Sequence, residues 1–390
     1  MVNPEVYQHV AGLFKERYGR PHTAAAYAPG RVEVLGNHTD YNEGYVLSAA
    51  INFGTFFLAA PNPGPECRLI AGDILEKIDF DIRDVKPSPT MRWANYVMGV
   101  VAGIKKECKL THGFDGIFLG NIPIGSGLSS SAALTLSTGL SLTTLYGITL
   151  DKMKLARIAQ AAEHEFTGAK CGLMDQFSSL YGRKNQLVMS DFRTFSVENI
   201  PLGEDVCFLM CNTNVKHSLV ECEYNERREK CENAAQWFRQ ILRRPVKALR
   251  DVVWHEFEQH KHNMDPATAK RVAHVIGENR RVLEGRELLT HGNVEKFGRL
   301  MFESHDSSRH HFENSSKELD FIVDTAQQVP GVLGARLSGG GFGGSAVILV
   351  HPGDVEAIRQ TLTSAYQNHF GHPCDIQVII PSDGATPVQA

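Results

Sequence analysis

This chain lacks several features that would assign a function class outright. No Gly-Lys-Ser or Gly-Lys-Thr occurs, so an ordinary P-loop is absent. The eight cysteines, at 67, 108, 171, 207, 211, 222, 231 and 374, are too dilute for a disulfide scaffold, and none forms a C-x-x-C pair. Cys207, Cys211, Cys222 and Cys231 lie near His217, but alternation around 206–210 places Cys207 and Cys211 in a strand. Reduced cytosolic thiols fit that pattern better than a zinc site. The formal net charge is only −4, without the basic excess that binds nucleic acid. The longest apolar stretch, 46–60, is broken by Ser48, Asn52 and Gly54 and is too short and too polar to span a bilayer. The first residues lack the basic-then-apolar order of a signal peptide. A cytoplasmic protein with neither a nucleic-acid nor a membrane partner is expected. In that setting Asn37-His38-Thr39 and Asn314-Ser315-Ser316 are chance matches to the glycosylation pattern.

What is present is ordinary globular material. With 390 residues, 42% hydrophobic and 22% charged, the chain can bury a large core and form two domains. Asn3-Pro4-Glu5 opens a helix that Gly19 ends. Segments 24–28, 31–35, 55–60 and 116–119 read as short strands, and 132–145 as a buried helix. Asp151 caps a helix running to about Phe166. Strands are expected at 186–189, 206–211, 335–338, 345–350 and 375–380, and helices at 221–242, 267–283, 294–304, 316–328 and 354–370. Strands and helices mix without regular alternation, so the expected class is α+β. The boundary falls near Arg193, giving domains 1–193 and 194–390.

Three motifs carry the chemistry. In Gly30-Arg31-Val32-Glu33-Val34-Leu35-Gly36-Asn37-His38-Thr39-Asp40-Tyr41-Asn42 a strand delivers six polar-capable side chains, a surface suited to sugar hydroxyls. A plain polar loop is the bland reading. It leaves Arg31, beside an apolar strand, without the partner that burial demands. Gly125-Ser126-Gly127-Leu128-Ser129-Ser130-Ser131-Ala132-Ala133 combines a glycine turn, three hydroxyls and a helix start. Unpaired N–H groups of a first helical turn bind anions, and hydroxyls can ligate the Mg²⁺ of a nucleoside triphosphate. A cap alone would need one serine. The third motif, Arg336-Leu337-Ser338-Gly339-Gly340-Gly341-Phe342-Gly343-Gly344-Ser345, precedes a strand, so it is not a dinucleotide fingerprint. Its glycines mean close approach to a phosphate or another loop. Asp175, within Gly172-Leu173-Met174-Asp175-Gln176-Phe177, should be partly desolvated, and a cation such as Arg31 would keep it ionised. The tract Ser304-His305-Asp306-Ser307-Ser308-Arg309-His310-His311 reads as a solvated loop after a helix rather than a metal site.

The three motifs, in this order, resemble those of the GHMP small-molecule kinases, and the first resembles the galactokinase signature Gly-Arg-Val-x-x-x-Gly-x-His-Thr-Asp-Tyr-Asn. Trp93-Ala94-Asn95-Tyr96-Val97, Ala162-Glu163-His164, Asn214-Val215-Lys216-His217-Ser218 and Glu223-Tyr224-Asn225-x-Arg227-Arg228 are similar to further galactokinase segments. The resemblance implies a two-domain fold with the active site in the cleft, and transfer of the ATP γ-phosphoryl to the anomeric hydroxyl of galactose. It implies Asp175 as the base, Arg31 as its partner, and Ser131 and Glu163 on Mg²⁺. It places Gly125, Ser126, Gly127, Leu128, Ser129, Ser130 and Ser131 on the phosphates, and Trp93 and Tyr96 beside adenine. Asn37, His38, Asp40, Gly172 and Tyr224 match sugar contacts.

Galactokinases typically carry Glu where this chain has Asn37. The lost charge would also tolerate a sugar carboxylate, so galacturonate or a related sugar such as arabinose is the runner-up substrate. A non-catalytic galactose and ATP sensor is a further reading, against which the intact serine turn and Asp175 speak. A kinase for mevalonate or homoserine would not need so many hydroxyl partners.

Overall fold

The computed structural model describes residues 3–123, 126–169, 171–216 and 220–389. Asn3 starts the first helix, α1 (Pro4–Tyr18): its side chain accepts from the N–H groups of Glu5 and Val6, and Gly19 closes the end in left-handed geometry. Seven strands follow in the first half: β1 (Ala24–Leu35), β2 (Tyr45–Asn62), β3 (Glu66–Ala71), β4 (Glu76–Asp81), β5 (Gly113–Gly120), β6 (Gln186–Asp191) and β7 (Ser196–Pro201). Among them lie α2 (Arg92–Glu107), α3 (Ser130–Tyr146), α4 (Lys152–Ala162) and α5 (Met174–Tyr181).

Alternation along β2 explains why this sheet is covered on both faces. Phe57 and Ala59 pack with Val97, Leu134 and Ile158 of the helical layer, while Phe56 and Leu58 pack with Val10 and Phe14 of α1. The pairing is antiparallel except for β3 beside β5.

The second half builds a four-stranded antiparallel sheet from β8 (Cys207–Lys216), β9 (Val332–Ser338), β10 (Gly343–Val350) and β11 (Asp375–Ile379). The chain then returns as β12 (Thr386–Val388) to pair with β1. Six helices accompany this sheet: α6 (Val220–Ile241), α7 (Trp254–His260), α8 (Pro266–Thr290), α9 (Val294–Ser307), α10 (Lys317–Gln327) and α11 (Val355–Phe370). Residue 193 lies in the turn between β6 and β7, and the chain passes to the second sheet only after Pro201. The two sheets share a core: Val32, Leu47 and Ile51 pack in one cluster with Phe208, Met210 and Val347. Cys207 and Cys211 are buried strand residues. Among the described residues no helix is long and apolar enough to cross a membrane.

Two expectations change. Segments 24–28 and 31–35 form one strand, because a register slip between Pro29 and Arg31 absorbs the proline without ending the ladder. The tract 304–311 is no solvated loop: α9 runs through Ser307 into a π-type turn, and Ser304, His305, Ser307 and Ser308 are buried. His305 accepts from the Leu337 N–H at 3.2 Å and donates to Asp320 at 3.1 Å, so its polar atoms are satisfied by distant segments.

The slip brings the backbone of β1 against the serine turn. A Cβ at Gly30 would stand 2.3 Å from the Leu128 carbonyl oxygen. Gly30→Ala should therefore lower the unfolding free energy by about 1–3 kcal/mol, read by urea denaturation; an unchanged midpoint would show that the turn yields freely.

Candidate active site

Arg31 leaves β1 at the slip and is only 8% exposed. Its Nε donates to Asp175 Oδ1 at 2.7 Å, and a terminal guanidinium nitrogen donates to the Gly127 carbonyl at 2.7 Å. Its backbone N–H donates to the Leu128 carbonyl at 3.1 Å. One residue thus joins the first motif, the serine turn and the first turn of α5. The second oxygen of Asp175 accepts the Ser129 hydroxyl. Desolvation and the Glu163 and Asp175 charges push the neighbouring Cys171 thiol up to about 12, so it stays protonated and unreactive at neutral pH.

Ser129 holds left-handed backbone geometry (φ 57°) just before α3 and makes no side-chain cap to the helix. The first-turn N–H groups of α3 are therefore left for an incoming anion. Ser126 is buried; its hydroxyl donates to the Pro123 carbonyl at 2.7 Å and its own carbonyl accepts from Ser345 of the third motif at 2.9 Å. Leu128 is a core residue, and Gly125 lies outside the described residues, as do His217 and Ser218. Ser130 and Ser131 border a cavity of about 230 Å³ with Trp93, Tyr96, Phe118 and Thr55. Trp93 is fixed there by donating Nε1 to Glu76 at 2.7 Å.

Glu163 follows α4 on a π-type turn, buried, with its carboxylate near the Ser131 hydroxyl and accepting from Gln176 Nε2 at 3.0 Å. Burial first, then the charge of Asp175, pushes its pKa up to about 7. Hard oxygen donors of this kind, one of them a carboxylate, suit Mg²⁺.

Of the predicted sugar contacts, Asp40, Gly172 and Tyr224 meet at a second cavity, while Asn37 and His38 do not line it. Asp40 and Tyr224 border this cavity, of about 600 Å³, with Gly172, His164, Gln160 and Arg228. A Cβ at Gly172 would strike the Asp40 carboxylate at 2.5 Å. Desolvation raises Asp40 to about 6. Both ring nitrogens of His38 are occupied, by the Tyr41 hydroxyl at 2.9 Å and the Gly340 carbonyl at 3.2 Å, and burial holds its pKa near 3. His38 is thus a neutral wall with no ring donor to spare.

Asn37 is 1% exposed and fully engaged. Its amide donates to Glu33 Oε1 at 2.9 Å and to the Gly339 carbonyl at 2.7 Å, and its oxygen accepts from Asn314 at 2.9 Å. The glycines of the third motif therefore approach another loop, through their carbonyls. A carboxylate, Glu33, stands against Asn37, so the charge missing at 37 is present four residues earlier. The sequence signal for it was available: Glu33 alternates with Arg31 on the strand.

Three family signatures match: the galactokinase galactose-binding signature at 12–61, the GHMP kinase N-terminal domain at 95–183 and the GHMP kinase C-terminal domain at 286–368. The galactokinase of Actinobacillus succinogenes is 39% identical over 378 residues, 95% of this chain and 97% of the relative. The chain belongs to the galactokinase family. The Pasteurella multocida galactokinase is 38% identical over 385 residues, covering 97% and 98% of the two chains. A crystal structure of Lactococcus lactis galactokinase complexed with galactose superposes with a TM-score of 0.91 at 32% identity, covering 98% of this chain and 100% of that one. The Methanococcus jannaschii mevalonate kinase, at TM-score 0.64 and 17% identity over 93% of this chain and 99% of that one, shares the fold. This galactokinase-family chain is accordingly a sugar kinase of α+β, two-domain GHMP architecture.

Burial of Glu163 has a measurable consequence for stability. Between its ordinary 4.5 and about 7 the folded chain holds a proton that the unfolded chain has released. Stability from this group is full below 4.5 and is lost as pH rises through 7. His38 and His274, depressed to about 3 and about 4, act in the opposite sense. The parent-minus-Glu163→Gln difference isolates Glu163. It should fall by a few kcal/mol, on the order of magnitude set by linkage, as urea unfolding is repeated from pH 5 to pH 8. A flat difference would mean the carboxylate is well solvated.

Proposed function

We infer that this chain is an ATP-dependent kinase that phosphorylates the anomeric hydroxyl of galactose, giving galactose 1-phosphate and ADP. The observation that carries the reading is the Arg31–Asp175 pair at 2.7 Å, set where the serine turn and α3 begin. Galactose enters on the Asp40, Gly172 and Tyr224 side, and the triphosphate lies along the serine turn with adenine towards Trp93 and Tyr96. The C1 oxygen attacks the γ-phosphorus as the bond to ADP breaks. The hydroxyl proton passes to the Asp175 oxygen that otherwise carries the Ser129 hydroxyl. Arg31 keeps Asp175 ionised and faces the charge that develops on the transferring group. Ser131 and Glu163 would hold Mg²⁺, which neutralises phosphate charge when bound.

Asp175→Asn should lower kcat by ~10²–10⁴-fold while ATP still binds, as followed by calorimetry. Unchanged turnover would remove Asp175 from the chemistry. The substrate preference has its own test. The Glu33 carboxylate against Asn37 restores a negative charge whose absence the galacturonate alternative required, so a sugar carboxylate meets like charge there. Galacturonate should be turned over at no more than about one hundredth of the galactose rate at equal concentration. A comparable kcat/KM for the uronate would reverse the assignment.

A further inference from the structure

We propose that Glu33 is a sugar-binding residue of this enzyme, supplying the carboxylate that the first motif lacks at Asn37. The inference rests on the galactose-kinase reading above.

Asn37 has both amide protons committed to protein partners, and its oxygen already accepts from Asn314. Glu33 is also buried, at 4% exposure, but differs in its partners. Its Oε1 is pinned by Asn37 at 2.9 Å and by the Arg336 guanidinium at 3.0 Å. Among the described residues none donates to Oε2. The carboxylate is thus fixed through one oxygen and has no protein donor on the other, the arrangement that holds a hydrogen-bond acceptor at a set position.

Direction follows from the strand. Arg31, Val32 and Glu33 pair in regular register with Ala50, Ala49 and Ser48. Residues two apart on a strand share a face, so Glu33 projects on the same side as Arg31. Their Cα atoms are separated by about 6.6 Å, a span that a six-membered sugar ring with its hydroxyls can bridge. The electrostatics agree: Asp40 and Tyr224 each feel the charges of both Glu33 and Asp175. Four side chains from three segments therefore lie within electrostatic reach of one another. Asp175 addresses the anomeric oxygen there, and Glu33 accepts from a hydroxyl elsewhere on the ring.

Arg336 acts behind it as a positioning residue. Its side chain is fully buried, and it reaches Glu33 Oε1 and the Val34 carbonyl through the same nitrogen. The third motif thereby sets the carboxylate of the first.

The test is steady-state kinetics of Glu33→Gln on galactose and on its monodeoxy analogues. A hydrogen bond to a charged group is worth ~10–100-fold in affinity. Galactose KM should rise by that factor, with KM for ATP within about twofold of the parent. One deoxy analogue, the one lacking the hydroxyl that Glu33 binds, should lose its penalty in E33Q while the others keep theirs. Glu33→Asp keeps the charge beside Arg336 and withdraws it by one methylene; it serves for the same comparison if E33Q does not fold. An unchanged galactose KM in the folded variant, or a loss spread evenly over every analogue, overturns the inference. A parent enzyme that does not phosphorylate galactose would instead sink the proposed function.

Discussion

A single guanidinium organises this active site. Arg31 holds Asp175 through Nε, the serine turn through the Gly127 carbonyl, and Leu128 through its own backbone. These partners lie about a hundred residues or more downstream. Removing either member of such a part-buried ion pair leaves a poorly compensated charge, at a cost below the ~3–5 kcal/mol typical of a fully buried pair. The pair therefore couples the site to the architecture: Asp175 is in place only where the serine turn and α5 are both docked on β1. The slip after Pro29 is what turns the strand so that this docking can occur.

Below that pair lies a polar layer that joins the two halves of the chain. Glu278 accepts from the N–H groups of Gly36 and Asn37 and from the Ser304 hydroxyl, and it is fully buried beside Arg281. His274 donates to the Asn37 carbonyl, and Arg336 holds Glu33. Hydrophobic packing between Val32 and Phe208 or Val347 is tolerant of small shifts, whereas this network has fixed geometry. Its bonds run from α8 to the loop after β1 and from β9 to β1 itself, with α9 bracing Glu278, so the second half of the chain sets the position of the first motif.

How much of this could be read in the sequence depended on whether the partners were local. Asn3, Pro4 and Gly19 mark α1 within its own residues, and the glycine and serine spacing marks the start of α3. The meeting of Arg31 with Asp175 was legible because each, taken alone, is an improbable residue for its surroundings. By contrast α2 opens at Met91 without any side-chain cap, and nothing nearby announced it. The tract at 304–311 looked soluble because its residues are polar, yet its partners Asp320 and Leu337 come from distant segments. The partners of Asn37 were hidden for the same reason. Composition at one position showed a charge removed, while alternation along β1 places that charge at Glu33. Both Asn37 and Asn314, which match a glycosylation pattern, are buried and bonded to each other.

Charge balance then constrains what this site can accept. Glu33, Asp40, Asp175 and Glu163 crowd together, against which Arg31, Arg228 and Arg336 stand nearby. Asp40 near 6 and Glu163 near 7 show that low-dielectric surroundings resist the full negative charge. A neutral polyol relieves that strain, since hydroxyls donate to carboxylate oxygens without adding charge. An anionic sugar would add a further negative group to those already resisted. The triphosphate is also anionic, but in the proposed reaction it approaches on the side where α3 presents its N-terminus and where Ser131 and Glu163 could share a divalent cation. Each half of the reaction thus meets the electrostatics that its own charge requires, and Arg31 stands on the line between them.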